Sequence, residues 1–136
     1  MAFSQAKHEE ETIRAFMPKD KQERYLFLLA HPSRRRRFTS SLAHFHYDLF
    51  RNASPIPPSL AHTHEEVIAL LQSKGAGTVV WVISENSRLD ATEMPLKEAV
   101  REVWGSDTGT ILSCVPGRLA LFQGEERNSA RLLHIP

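Results

Sequence analysis

Residues 77–100 read GTVVWVISENSRLDATEMPLKEAV, and inside this stretch the hydrophobic period changes. Thr78-Val79-Val80-Trp81-Val82-Ile83 is a near-continuous β-branched run, the pattern of a strand covered on both faces. The polar stretch from Ser84 to Met94 reads as a loop or an irregular hairpin. Pro95 then opens a helix, because its missing N–H would be unpaired in a first turn anyway. Leu96, Ala99, Val100 and Val103 fall on one side of that helix, and Lys97, Glu98, Arg101 and Glu102 on the other. Helical patterns dominate before this stretch and strand patterns follow it, and that segregation places the chain in the α+β class.

Downstream, Gly105 ends the helix and Thr110–Val115 reads as a second strand. Pro116-Gly117 suits the centre of a type II turn, Pro presetting φ at the first position and Gly accepting positive φ at the second. Leu119–Phe122 is the expected hairpin partner, and Arg131–Ile135 a last edge strand.

Upstream the pattern is helical. Ile13, Phe16 and Met17 follow helical spacing behind a polar stretch, Lys7–Glu11, and Pro18 restarts the pattern. Tyr25, Leu28 and Leu29, widened by Leu26 and Phe27, give a second helix that His31-Pro32 closes. Phe38, Leu42, Phe45 and Leu49 share one face of an expected third helix beginning near Pro32 or Ser33. Residues 52–61 form a proline-rich connector without helical or strand period. Thr63 and Glu66 match a capping box ahead of Val67, Ile68, Leu70 and Leu71, and Gly75-Ala76-Gly77 stops that helix.

The expected architecture is α+β. An N-terminal segment of three to four helices packs with a small C-terminal β-α-β-β(-β) mixed sheet. At 136 residues, 1–136 reads as a single domain, helical over about 1–75 and β-rich over about 76–136. A composition of 41% apolar and 24% charged residues is that of an ordinary globular protein. Cys114 is the only cysteine, so no internal disulfide forms. The first residues show no secretory pattern, and the longest apolar run, Tyr25–Ala30, is too short for a bilayer. A cytoplasmic, non-membrane protein is the expectation.

The net charge of +1 hides a polarity. Residues 1–51 hold ten Lys/Arg against six Asp/Glu, and residues 52–136 hold seven against ten. A basic front and an acidic back attract each other within one chain or between two copies. The sharpest basic feature is Arg34-Arg35-Arg36-Arg37. Cations at a helix start are locally unfavourable. Three reasons would compensate: a bound anion, an internal carboxylate cluster such as Glu9-Glu10-Glu11 or Glu125-Glu126, or the C-terminus of the preceding helix. Four consecutive helical residues fan through about 300°, so they cannot all face one ligand. A solvated or internally paired turn is the first reading, and anion binding the second.

Two His-x-His pairs stand out, His44 with His46 and His62 with His64. In extended backbone such a pair offers two metal ligands on one face; in a continuing helix the rings of His44 and His46 point about 200° apart. His44-Phe45-His46-Tyr47-Asp48 resembles part of the His-x-His-x-Asp-His motif of the metallo-β-lactamase family. Leu49 stands where that motif ends in histidine, so the resemblance implies nothing further for this chain. Cys114 is expected to be buried in its strand, with His134 as a conceivable partner across the sheet. Glu85, Asp90 and Glu93 lie on a loop leaving the central strand, where ligands often bind. Trp81 and Trp104 read as core or interface anchors.

No complete catalytic constellation appears, and no cofactor is expected. The leading expectation is a non-enzymatic interaction or regulatory module that forms homo-oligomers through its helical face or an open sheet edge. The alternative is a nucleic-acid or phospholigand binder acting through Arg34–Arg37. The third is a metal-assisted hydrolase built on the histidine pairs.

Overall fold

The computed structural model describes residues 2–45, 49–56, 63–125 and 130–136. Over these residues the fold is α+β, with five α-helices and a six-stranded sheet. Helices α1 (Ala2–Phe16), α2 (Lys19–Ala30) and α3 (Arg35–Thr39) come first, followed by a 3-10 turn at Leu42–His44. Strand β1 (Ala53–Pro55) and helix α4 (His64–Ser73) lead into β2 (Val79–Ser84), β3 (Thr92–Pro95) and α5 (Leu96–Val103). Strands β4 (Thr110–Val115), β5 (Leu119–Gln123) and β6 (Arg131–His134) complete the chain.

The strand order is β1-β6-β5-β4-β2-β3, and every neighbouring pair is antiparallel. This corrects the expected mixed sheet. A helix carrying β2 directly to an adjacent strand would leave the two parallel, but β3 adds one more reversal before α5 begins. Strand β3 pairs with β2 from Val79↔Pro95 to Val82↔Thr92, and β4 lies on the other side of β2.

Both faces of the sheet are buried, and side-chain alternation sorts them. Val80, Val82, Leu112, Leu119, Leu121 and Leu132 face one core with α4 and α5. Trp81, Ile83, Ile111, Ala120, Phe122 and Leu133 face the other, beneath α1, α2 and α3. The continuous apolar run of β2 is therefore explained by two layers of helices.

Several expected boundaries hold. The capping box at Thr63 and Glu66 forms in full, and Gly117 turns between β4 and β5 with φ +71°. Three expectations are corrected. The third helix stops at Thr39 instead of running to Leu49, because Thr39-Ser40-Ser41 offers hydroxyls that compete with the helical ladder. The Ser41 hydroxyl donates to Phe38 O at 2.6 Å. Strand β6 is interior, since β1 pairs beyond it through Ala53↔Leu133. The proline-rich connector thus supplies an edge strand, where Pro55 is tolerated. Among the described residues no helix is long and apolar enough to cross a membrane.

Candidate interaction surface at the arginine run

The turn between α2 and α3 determines where each arginine goes. The N–H groups of Arg34 and Arg35 both donate to His31 O, at 2.8 and 2.9 Å, closing the chain sharply after α2. Arg35 then points inward, beneath α1. Its Nε donates to Asp90 Oδ2 at 2.6 Å and its Nη2 to Asp90 Oδ1 at 3.0 Å. Nη1 and Nη2 also reach Glu9 Oε1 and Oε2, at 2.8 and 2.6 Å, and Nη1 reaches Leu29 O at 3.4 Å. All five guanidinium N–H groups are thereby engaged.

Further donors complete the clamp. Trp81 Nε1 donates to Glu9 Oε2 at 2.9 Å, and the Ser84 N–H to Asp90 Oδ1 at 3.0 Å. Burial opposes the charge on Arg35, but its hydrogen bonds with Asp90 and Glu9 outweigh that cost and hold the guanidinium protonated more firmly than usual. The carboxylate partner considered from sequence, Glu9-Glu10-Glu11, is supplied by Glu9 together with Asp90.

The other three arginines are exposed. The Arg34 guanidinium lies 5.6 Å from the centre of the Phe27 ring, and Arg36 donates to Glu85 O at 2.7 Å. Beside them α1 and α2 enclose an open cleft of about 800 Å³, whose wall includes Glu10, Arg14, Glu23, Leu26, Phe27 and the buried Arg35. Phe27 is 47% exposed and forms its apolar lip. Arg14 bridges Glu10 at 3.6 Å and Glu23 at 3.5 Å on the rim; exposed pairs of this kind are weak.

The histidine pairs lie partly outside the described residues, which include neither His46 nor His62. His44 ends the 3-10 turn with its Nδ1 2.8 Å from Glu125 Oε1. His64 sits in the first turn of α4 with Nε2 3.4 Å from Trp104 O. Among the described residues no three His, Cys, Asp or Glu side chains are grouped to hold a metal ion. Cys114 is buried and its thiol is pushed up to about 12; its Sγ donates to Leu112 O. The loop carboxylates also diverge. Glu85 Oε1 accepts the Gly109 N–H at 2.8 Å, Asp90 belongs to the clamp, and Glu93 is exposed on β3.

A second polar group beneath α1 went unread in the sequence. His8 Nδ1 and Ser113 Oγ lie 2.6 Å apart, the Thr12 hydroxyl donates to Ser113 Oγ at 3.3 Å, and the His8 ring stacks on Trp81. Burial lowers the His8 pKa, while Glu93, Glu11 and Glu9 pull the other way. A serine beside a histidine is the pairing of nucleophilic catalysis. Here Ser113 and Thr12 are fully buried, and the group ties α1 to the sheet. The signal was present: stepping back by four from Ile13, Phe16 and Thr12 reaches Glu9, Thr12 and His8, so the inward stripe of α1 continues in polar residues. No protein family, curated protein or solved structure matches the chain, so the chemistry of this surface is read from its own geometry.

Proposed function

We propose that this protein is a non-enzymatic interaction module that self-associates through the helical face formed by α1 and α2. One observation carries the reading: the open cleft between these helices has an exposed aromatic lip, Phe27, and apolar Leu26 beside it. Aromatic side chains beside a concavity are the usual anchors of protein interfaces. The helical face is preferred to a sheet edge because both edges are short and end in proline, Pro55 on β1 and Pro95 on β3. The basic front and acidic back of the chain give two copies complementary charge. We read residues 1–136 as one cooperative domain, since both apolar clusters share the sheet, and place it in the reducing cytoplasm, where a lone cysteine stays a thiol.

Sedimentation velocity over a hundredfold concentration range tests this. The wild type is expected to shift from monomer toward dimer, and Phe27→Asp to remain monomeric. A wild-type mass that stays monomeric at every concentration overturns the reading.

A further inference from the structure

We propose that the corner between α2 and α3 is a stacking platform for single-stranded nucleic acid, formed by Phe27, His31, Arg34 and Arg37. The four arginines have separate tasks. Arg35 is held inside by Glu9 and Asp90, and Arg36 is tied to Glu85 O. Arg34 and Arg37 stand three positions apart, with the Arg37 N–H on Arg34 O at 3.0 Å, so they rise from one side of the same turn.

That side carries a close, tilted aromatic pair. The His31 ring lies 4.2 Å from the Phe27 ring at 36°, and the Arg34 guanidinium lies 5.6 Å from Phe27. His31 Nδ1 donates to Phe27 O at 2.7 Å, which fixes its ring plane and leaves Nε2 without a proton in the neutral form. All four side chains are exposed.

An exposed ring pair with the Arg34 guanidinium over Phe27, and Arg37 one turn further along, matches a nucleotide in both its parts. A base stacks on the Phe27–His31 pair, and the arginines meet the flanking phosphates. A duplex keeps its base faces inside its own stack and offers only phosphates. An acidic protein would use the charge and leave the aromatic pair idle. Single strands are therefore the partner that uses every element of the corner. This lies beyond self-association. The two share Phe27, so a second copy and an oligonucleotide compete for it.

Fluorescence anisotropy with labelled oligo(dT), oligo(U) and a duplex, each of about 12 nucleotides per strand, tests the platform at about 50 and 200 mM salt. The two single-strand arms separate DNA from RNA as the source of the same base-and-phosphate chemistry. Wild-type protein is expected to bind at least one single strand more tightly than the duplex. Phe27→Ala is expected to lose about 5- to 150-fold in single-strand affinity with the salt slope unchanged. Arg34→Ala/Arg37→Ala is expected to lower that slope by about 1.4, at roughly 0.7 released ions per phosphate. Circular dichroism of each variant confirms that these exposed changes leave the fold intact. No binding at low salt, duplex binding as tight as single-strand binding, or an unchanged Phe27→Ala variant overturns the proposal. Sedimentation is read without nucleic acid, so failure here is distinct from failure of self-association.

Discussion

Arg35 and Arg37 are two residues apart in an unbroken run of one amino acid, and their surroundings are opposite. The Arg35 side chain is 11% exposed and lies between Glu9 and Asp90, which are 7% and 14% exposed. Deleting it leaves two carboxylates facing each other at low exposure without a counter-charge. Arg35→Ala is expected to lower unfolding free energy by about 3–5 kcal/mol, the usual cost of breaking a buried ion pair. Arg37→Ala, on the exposed side, is expected to stay within about 0.5 kcal/mol of wild type. Guanidinium chloride titrations of both variants check this, and equal midpoints would remove Arg35 from its structural role. Glu9 was legible as one of five candidate acidic partners, Glu9-Glu10-Glu11 and Glu125-Glu126. Which arginine turns inward was not, because that depends on the phase of a five-residue helix. It also depends on Asp90, which arrives from 55 positions away.

At the scale of elements, the well-read pieces are those whose stability is local in sequence. Helix α4 announces itself through the Thr63 capping box, and α5 through Leu96, Ala99, Val100 and Val103 on one face. The poorly read pieces depend on partners. Ala53–Pro55 is a strand because Leu133, Leu132 and Arg131 lie opposite it, and Thr92–Pro95 because β2 does. Three or four residues carry too little pattern to declare a strand alone. The broken third helix has a partner behind it as well as its own hydroxyls. Its continuation turns aside at Leu42–His44, where the chain meets Gly109 backbone to backbone. A methyl group on Gly109 would lie 2.6 Å from Leu42 C and 2.7 Å from Ala43 Cα, and against Ala43 N. Gly109 also exchanges bonds with Glu85, its N–H on Oε1 and its carbonyl accepting the Glu85 N–H at 3.0 Å. Gly109→Ala is therefore expected to cost about 1–3 kcal/mol, the range for overpacking. Gly77→Ala meets open space and is expected to change stability by no more than about 0.5 kcal/mol. Paired thermal melts distinguish the two, and a Gly109→Ala protein that melts with wild type would place the close approach elsewhere.

At the scale of the whole molecule, one antiparallel sheet separates two helical layers, and the layers are attached differently. Helices α4 and α5 pack through a mainly aliphatic cluster, with one buried polar tie to the sheet where the Gln123 amide donates to Val103 O at 2.8 Å, whereas α1 adds a polar seam of His8, Glu9 and Thr12 over Trp81 and Ser113. Strand alternation was legible, but the side of the sheet each helix covers was not. That assignment rests on polar residues of α1 being buried against expectation. The seam makes global stability respond to acid. The unfolded chain binds a proton on His8 near its ordinary value of 6.5; the folded chain binds it only at lower pH, because burial disfavours the charged ring despite Glu93, Glu11 and Glu9. The unfolded state thus holds more protons in the interval below 6.5, and stability rises with pH there. The contribution of neutral His8 is fully present above 6.5 and is lost as pH falls toward the lowered folded value. In His8→Asn this term is absent, so the variant is expected to be less stable than wild type near neutrality, where the ring contacts are missing, and to lose less on acidification. Urea midpoints of both proteins on either side of 6.5 read the difference. If the two midpoints fall in parallel, the proton is taken up elsewhere and His8 is a packing residue only.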